Sequence, residues 1–99
     1  MRAELKWVPS ADGGRTLLPT GNRYVTVAQI VSQKLRSRDE IVGDWSMVVI
    51  SSPSPREQGL ITFCDVSFLA PNAPHHELAS GVSFRLQEGA KTVANGVIL

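Results

Sequence analysis

Reactive side chains are scarce in this sequence. Its 99 residues hold one cysteine, two histidines and six aromatics: two Trp, one Tyr and three Phe. A single thiol, Cys64, excludes an intrachain disulfide. It sits in an apolar, strand-like run, so a buried and inert thiol is expected. No apolar run approaches the roughly 20 residues that cross a bilayer as a helix. The start, Met1-Arg2-Ala3-Glu4-Leu5-Lys6, lacks the apolar region of a secretory signal, and a cytoplasmic location is expected. Charge of one sign is lacking too. Ten basic and nine acidic residues leave a formal net charge of +1, which sets up no long-range field to attract nucleic acid.

Catalytic signatures are also missing. A phosphate-binding loop needs G-x-x-x-x-G-K-[ST], so that backbone amides wrap the phosphates. Gly89-Ala90-Lys91-Thr92 resembles only its tail and leads into a strand pattern, so no nucleotide is expected. No serine sits in a G-x-S-x-G elbow. His75-His76-Glu77 carries metal-ligand chemistry, but adjacent side chains on an extended chain project in opposite directions. Zinc wants three or four converging ligands, so solvated loop histidines are the expectation. Glu4, Asp39, Glu40 and Glu57 lie beside basic neighbours and form no acid–base dyad. Neither a cofactor, a metal nor an enzymatic activity is expected.

What remains is a run of strand patterns. Ala3, Leu5 and Trp7 alternate with Arg2, Glu4 and Lys6, the period of a half-buried strand. Pro9-Ser10-Ala11-Asp12-Gly13-Gly14 ends it. Residues 24–31 are rich in β-branched side chains, and 45–51 form a continuous apolar strand closed by Ser52-Pro53-Ser54-Pro55. Between them, Ser32 to Asp44 is polar and reads as an exposed loop or a single helical turn. Its Lys34, Arg36 and Arg38 form a small basic patch that could touch RNA, partly cancelled by Asp39 and Glu40. Leu60 to Leu69 is a strand with two partly apolar faces, one of which could meet a partner. Val82, Phe84 and Leu86 alternate with Ser83, Arg85 and Gln87; Glu88-Gly89 signals a hairpin, and Lys91 to Ile98 returns.

Six strands with short turns in one domain, 1–99, predict an all-β fold. The reading favoured is a six-stranded antiparallel Greek-key barrel, closed so that no long edge is exposed. An immunoglobulin-like sandwich comes second and would want a seventh strand. Gly13, Gly14 and Gly89 fall where tight turns need positive φ or close backbone approach, and Gly96 inside a strand suggests a bend or bulge.

The stretch Gly81-Val82-Ser83-Phe84-Arg85-Leu86-Gln87-Glu88-Gly89-Ala90-Lys91-Thr92-Val93-Ala94-Asn95-Gly96-Val97-Ile98 resembles the closing hairpin of the third domain of bacterial elongation factor Tu. Asp12-Gly13-Gly14-Arg15, followed by Gly21-Asn22-Arg23, is similar to the opening of that domain. The two pieces occur in the family's order and cover a little over half the chain. The resemblance implies a barrel that makes contacts and does no chemistry, since GTP hydrolysis in that family belongs to a separate domain. It implies Glu88, Gly89, Lys91 and Thr92 at the positions of the family's RNA-facing hairpin. Arg15, Arg23 and Arg85 are further candidates for contacting a partner or RNA, with Trp45 added for a protein partner and Tyr24 as the one plausible stacking group. The expected function is a stand-alone binding module for a protein partner, a second copy of the chain being one option. The alternative is an RNA-binding module associated with tRNA or the ribosome.

Overall fold

Alternation along the strands becomes an inside and an outside once the sheet closes. The computed structural model of the chain describes the backbone of residues 1–32 and 40–99, and the side chains of residues 1–31 and 44–99. Six strands run in chain order: β1 (Arg2–Trp7), β2 (Arg23–Ser32), β3 (Glu40–Ile50), β4 (Ile61–Phe68), β5 (Ser83–Glu88) and β6 (Lys91–Ile98). They form one closed barrel in the order β1-β4-β3-β2-β5-β6, with every neighbouring pair antiparallel. Three consecutive strands lie side by side as β2-β3-β4, and β5 returns to lie beside β2, which is the Greek-key connection. Closure pairs β1 with both β4 and β6, so a sandwich is not formed.

The interior takes one residue in two from each strand. Leu5, Ile30, Met47, Val49, Val66, Phe84, Leu86 and Ile98 are all buried within it. Each fully buried side chain of this size contributes about 1.5–3 kcal/mol relative to exposure, which makes this set the main source of stability. On β6 the alternation is broken, because Leu86 pairs with Ala94 and Gln87 with Thr92, leaving Val93 as an extra residue. The bulge lets Val93 and Ala94 both bury. Gly96 pairs regularly with Phe84 and Leu5, so it marks no bulge. A Cβ there would lie 2.3 Å from Cζ of Phe84, so its lack of a side chain makes room for that ring.

Ser32 and residues 40–44 differ from the loop or helical turn expected of the segment 32–44. Ser32 ends β2, and Glu40 to Asp44 belong to β3, held by pairing with β2 across Ser32↔Glu40 and Gln29↔Asp44. Polar residues can occupy a strand when the hydrogen-bond ladder is supplied by a partner. Residues 33–39, with Lys34, Arg36 and Arg38 of the basic patch and Asp39 beside it, lie outside the described residues. A one-turn helix, α1 (Pro55–Gln58), follows the proline cluster. Ser54 caps it: its hydroxyl accepts from the Glu57 amide, and the Glu57 carboxylate accepts from the Ser54 amide.

α1 also finishes β4. β3 pairs with β4 only from Asp65 to Phe68, so Phe63 lies beyond the reach of that ladder. The Gln58 side chain substitutes for the missing strand. Its Oε1 accepts from the Phe63 amide at 2.8 Å, and its Nε2 donates to the Phe63 carbonyl at 3.0 Å. A strand edge that would otherwise be open to another chain is thereby closed.

Candidate functional site

Two surfaces stand out: one mouth of the barrel and one outer wall.

The mouth is built where β1, β2 and β5 bring their last inward residues together. These are Trp7, Tyr24 and Glu88. Trp7 closes the core, and its Nε1 donates to the Thr62 hydroxyl at 3.0 Å. The Tyr24 ring meets Trp7 edge-on at 5.7 Å between centroids. Glu88 continues the inward row of Phe84 and Leu86, so a carboxylate sits where the next core residue would be. It accepts from the Tyr24 hydroxyl and from the Arg15 guanidinium. Arg15 arrives on the loop between β1 and β2 and lies over the Tyr24 ring, 5.4 Å from its centroid. Its Nε donates to the Leu17 carbonyl at 2.8 Å. The loop can bend this closely because Gly14 has no side chain; a Cβ there would stand 1.8 Å from the Val8 carbonyl oxygen.

The electrostatics follow from partial burial. Desolvation pushes the Tyr24 phenol up, its hydrogen bond to Glu88 adds to that, and the pKa reaches about 12. Burial alone would raise the Glu88 carboxyl, but hydrogen bonds from Tyr24 and Arg15 and the charges of Arg15 and Lys91 outweigh it and hold the pKa below the usual value. Beside this cluster is an open cleft of about 370 Å³ lined by Arg15, Thr16, Leu17, Glu88 and Lys91. Its lining offers two cations, one carboxylate and one hydroxyl. Lys91 reaches toward the Gly14 carbonyl, 3.5 Å away.

Of the residues expected to make contacts, Arg15, Glu88 and Lys91 meet at this mouth. Gly89 sits exposed in the two-residue turn between Glu88 and Lys91. Thr92 is half-buried and accepts from Gln87 Nε2 at 2.7 Å. Arg85 and Arg23 are elsewhere: Arg85 is exposed on the outer wall between Gln29 and Asn95, and Arg23 is exposed opposite Ile50. Trp45 points inward at the far end of the barrel, against Phe68.

The second surface is the outer wall of β2, β3 and β4. Val25, Val27, Ile50, Ile61, Phe63 and Leu69 are exposed there, Phe63 at 45 % and Ile61 at 49 %. The register sets Val25 beside Val48, Val48 beside Ser67 and Ile50 beside Asp65, whereas Ile61 and Phe63 pair with Lys6 and Glu4 of β1. The Arg2–Asp65 ion pair at 3.2 Å lies at its margin. The two-faced pattern of residues 60–69 announced part of this wall. Val25, Val27 and Ile50 were missed, because β-branched residues on the outside of a strand read simply as strand propensity.

The remaining reactive groups are placed away from both surfaces. Cys64 is fully buried, and burial pushes its thiol up to about 11, so it is protonated at neutral pH. His75 and His76 lie exposed in a short 3₁₀ turn, His75–Glu77; the His75 ring packs edge-on against Phe68 and its Nε2 lies 3.1 Å from the Ala70 carbonyl. Among the described residues no group of three His, Cys, Asp or Glu could hold a metal ion. No helix among the described residues is long and apolar enough to cross a membrane.

Fold and surfaces together define a closed six-stranded antiparallel barrel with a salt-bridged mouth and an apolar outer wall. The chain matches no family model, no curated protein and no solved structure.

Proposed function

We propose that this barrel is a non-catalytic binding module, similar to the third domain of elongation factor Tu, which engages a protein through the outer wall of β2, β3 and β4. The observation that carries this reading is the set of exposed apolar side chains, Val25, Val27, Ile50 and Phe63, on the outer wall of β2, β3 and β4. Contiguous apolar surface on a folded chain is costly to leave in water and marks interaction sites. The mouth supports the RNA alternative less well. Arg15, its best-placed cation, is already engaged by Glu88, and Arg23 and Arg85 do not join it.

Photocrosslinking tests the proposal. A crosslinking residue placed at Val25 or at Phe63 should yield a protein adduct in cells, sensitive to protease and not to ribonuclease. The same group at Arg85 should yield little. Equal adducts at all three positions, or adducts that ribonuclease removes, would overturn it. The second outcome would establish the RNA alternative.

A further inference from the structure

The cleft at the barrel mouth presents more hydrogen-bond donors than the protein itself satisfies. At about 370 Å³ it is at the small end of the range for ligand pockets, with room for one residue of a chain. Its charged lining is Arg15, Lys91 and Glu88, two cations against one carboxylate. Arg15 and Tyr24 both donate to Oε2 of Glu88, so that charge is met, while its Oε1 takes no hydrogen bond among the described residues. Lys91 supplies the excess charge. It is exposed and belongs to none of the ion pairs among the described residues. The hydrogen bond of its ammonium, to the neutral Gly14 carbonyl, is long at 3.5 Å. Arg15 uses Nε on the Leu17 carbonyl and Nη1 on Glu88, and leaves Nη2 open among the described residues. These bonds, and its place over the Tyr24 ring, fix the guanidinium before any ligand arrives. The exposed Thr16 hydroxyl and the Leu17 side chain, 58 % exposed, complete the rim.

Such a lining selects its ligand by chemistry. Donors on Arg15, Thr16 and Lys91 around a surplus positive charge call for one anionic group with more than one acceptor oxygen. Leu17 beside them calls for an apolar body attached to that group. The open oxygen of Glu88 calls for an N–H close to the anion. The carboxylate end of a peptide chain combines these features: two acceptor oxygens, a side chain one bond away and the amide N–H of the last residue. A nucleotide lacks its usual support, because Arg15 lies over the Tyr24 ring and no other ring lines the cleft. An inorganic anion would leave Leu17 and the Glu88 oxygen unused. We propose that this cleft binds the C-terminal carboxylate of a peptide ending in an aliphatic residue. Lys91 and Arg15 take the carboxylate, Glu88 takes the terminal amide, and Leu17 packs on the side chain. The site is separate from the outer wall of β2, β3 and β4, and neither depends on the other.

Amide chemical shifts followed by NMR test this with N-acetyl-leucine, which carries the last residue of such a peptide and little else. So small a probe should bind with a Kd of roughly 1–10 mM, so the titration runs to about 50 mM. Saturable shifts should appear at Thr16, Leu17 and Lys91. N-acetyl-leucinamide, which lacks the carboxylate, should give none. N-acetyl-glutamate α-amide, with its carboxylate on a side chain, should bind at least about fivefold more weakly. Lys91→Ala should weaken N-acetyl-leucine by about fivefold or more, since it removes the uncompensated charge. Arg85→Ala, on the outer wall, should change nothing. No saturable shift at the three residues, an amide that binds as well as the acid, or a Lys91→Ala variant of undiminished affinity would overturn the proposal. Tighter binding of inorganic phosphate or of the side-chain carboxylate would overturn it too. Failure here would leave the protein adducts at Val25 and Phe63 untouched, and loss of those adducts would leave these titrations untouched.

Discussion

Tyr24 and Glu88 face each other across the barrel mouth, and the Tyr24 hydroxyl donates to the Glu88 carboxylate that also holds Arg15. A loop, a strand and a hairpin are tied at one point. The salt bridge is 30 % and 29 % exposed at its two side chains, which limits its worth to about 1 kcal/mol.

That tie has a pH signature. The folded-state pKa of Glu88 is depressed, so its contribution is present above the unfolded carboxylate value of about 4.3 and is lost as pH falls through the lower folded value. Glu88→Gln should be less stable than the wild type by about 1 kcal/mol at pH 7, and the difference should vanish in acid. Urea unfolding at pH 7 and at a series of lower pH values measures it as a gap that narrows below about pH 4.3. A gap that stays constant with pH would mean that the carboxylate charge contributes nothing.

The phenol gives an independent readout, because Tyr24 is the only tyrosine. Its raised pKa favours the neutral phenol, so this stabilisation is complete below about pH 10 and is lost as pH rises toward the folded value of about 12. Absorbance titration of tyrosinate should show the high value in the wild type and a value closer to about 10 in Glu88→Gln. An unchanged titration would separate Tyr24 from Glu88.

Phe84 and Lys91 lie close together in the chain and should behave oppositely. Phe84 is buried in the core, and Phe84→Ala should cost about 3–5 kcal/mol. That approaches the whole stability of a small domain, so the variant should be largely unfolded. Lys91 is exposed, and Lys91→Ala should leave the melting temperature nearly unchanged. A wild-type melt for Phe84→Ala would place the β5 register one residue off.

Gly96→Ala should cost about 1–3 kcal/mol by overpacking, since the new Cβ would lie 2.3 Å from the Phe84 ring and 2.8 Å from Leu5. In a Phe84→Leu background the penalty should shrink, because the ring atoms it strikes are gone and only the Leu5 contact is left. Additive losses in a double-mutant cycle would show that the backbone, and not the ring, rejects the methyl group.

Gln58→Ala should remove about 1–2 kcal/mol and speed exchange of the Phe63 amide, whose acceptor is the Gln58 side chain. Unchanged exchange at Phe63 would show that β4 needs no cover at that point.

Much of the fold was legible because alternation is a local property. Arg2 to Trp7, Ile61 to Phe68 and Ser83 to Glu88 each carry the period of two that a sheet with one dry face demands. The hairpin at Glu88-Gly89 and the breaks at prolines were local as well. The helix α1 could have been read from Ser54-x-x-Glu57, a capping box whose partners are three residues apart. Residues 40–44 could not: Ile41 and Val42 are too short an apolar run between Glu40, Gly43 and Asp44 to mark a strand, and pairing with β2 is what sets them in one.

The sequence by itself determined six strands apart from the first part of β3, the buried thiol at Cys64 and the inward positions of Phe84 and Leu86, because these depend on spacing along one segment. Only the tertiary structure decided which distant residues meet. Arg15 and Glu88 are 73 residues apart, and nothing in either segment names the other. Closing the barrel brings them together at the mouth, leaves Arg23 and Arg85 outside it, and gathers the valines of β2 with Ile50 and Phe63 on one wall. Strand order and register set those neighbours. Both are fixed by how six half-apolar strands can enclose a single core, which is a property of the whole chain.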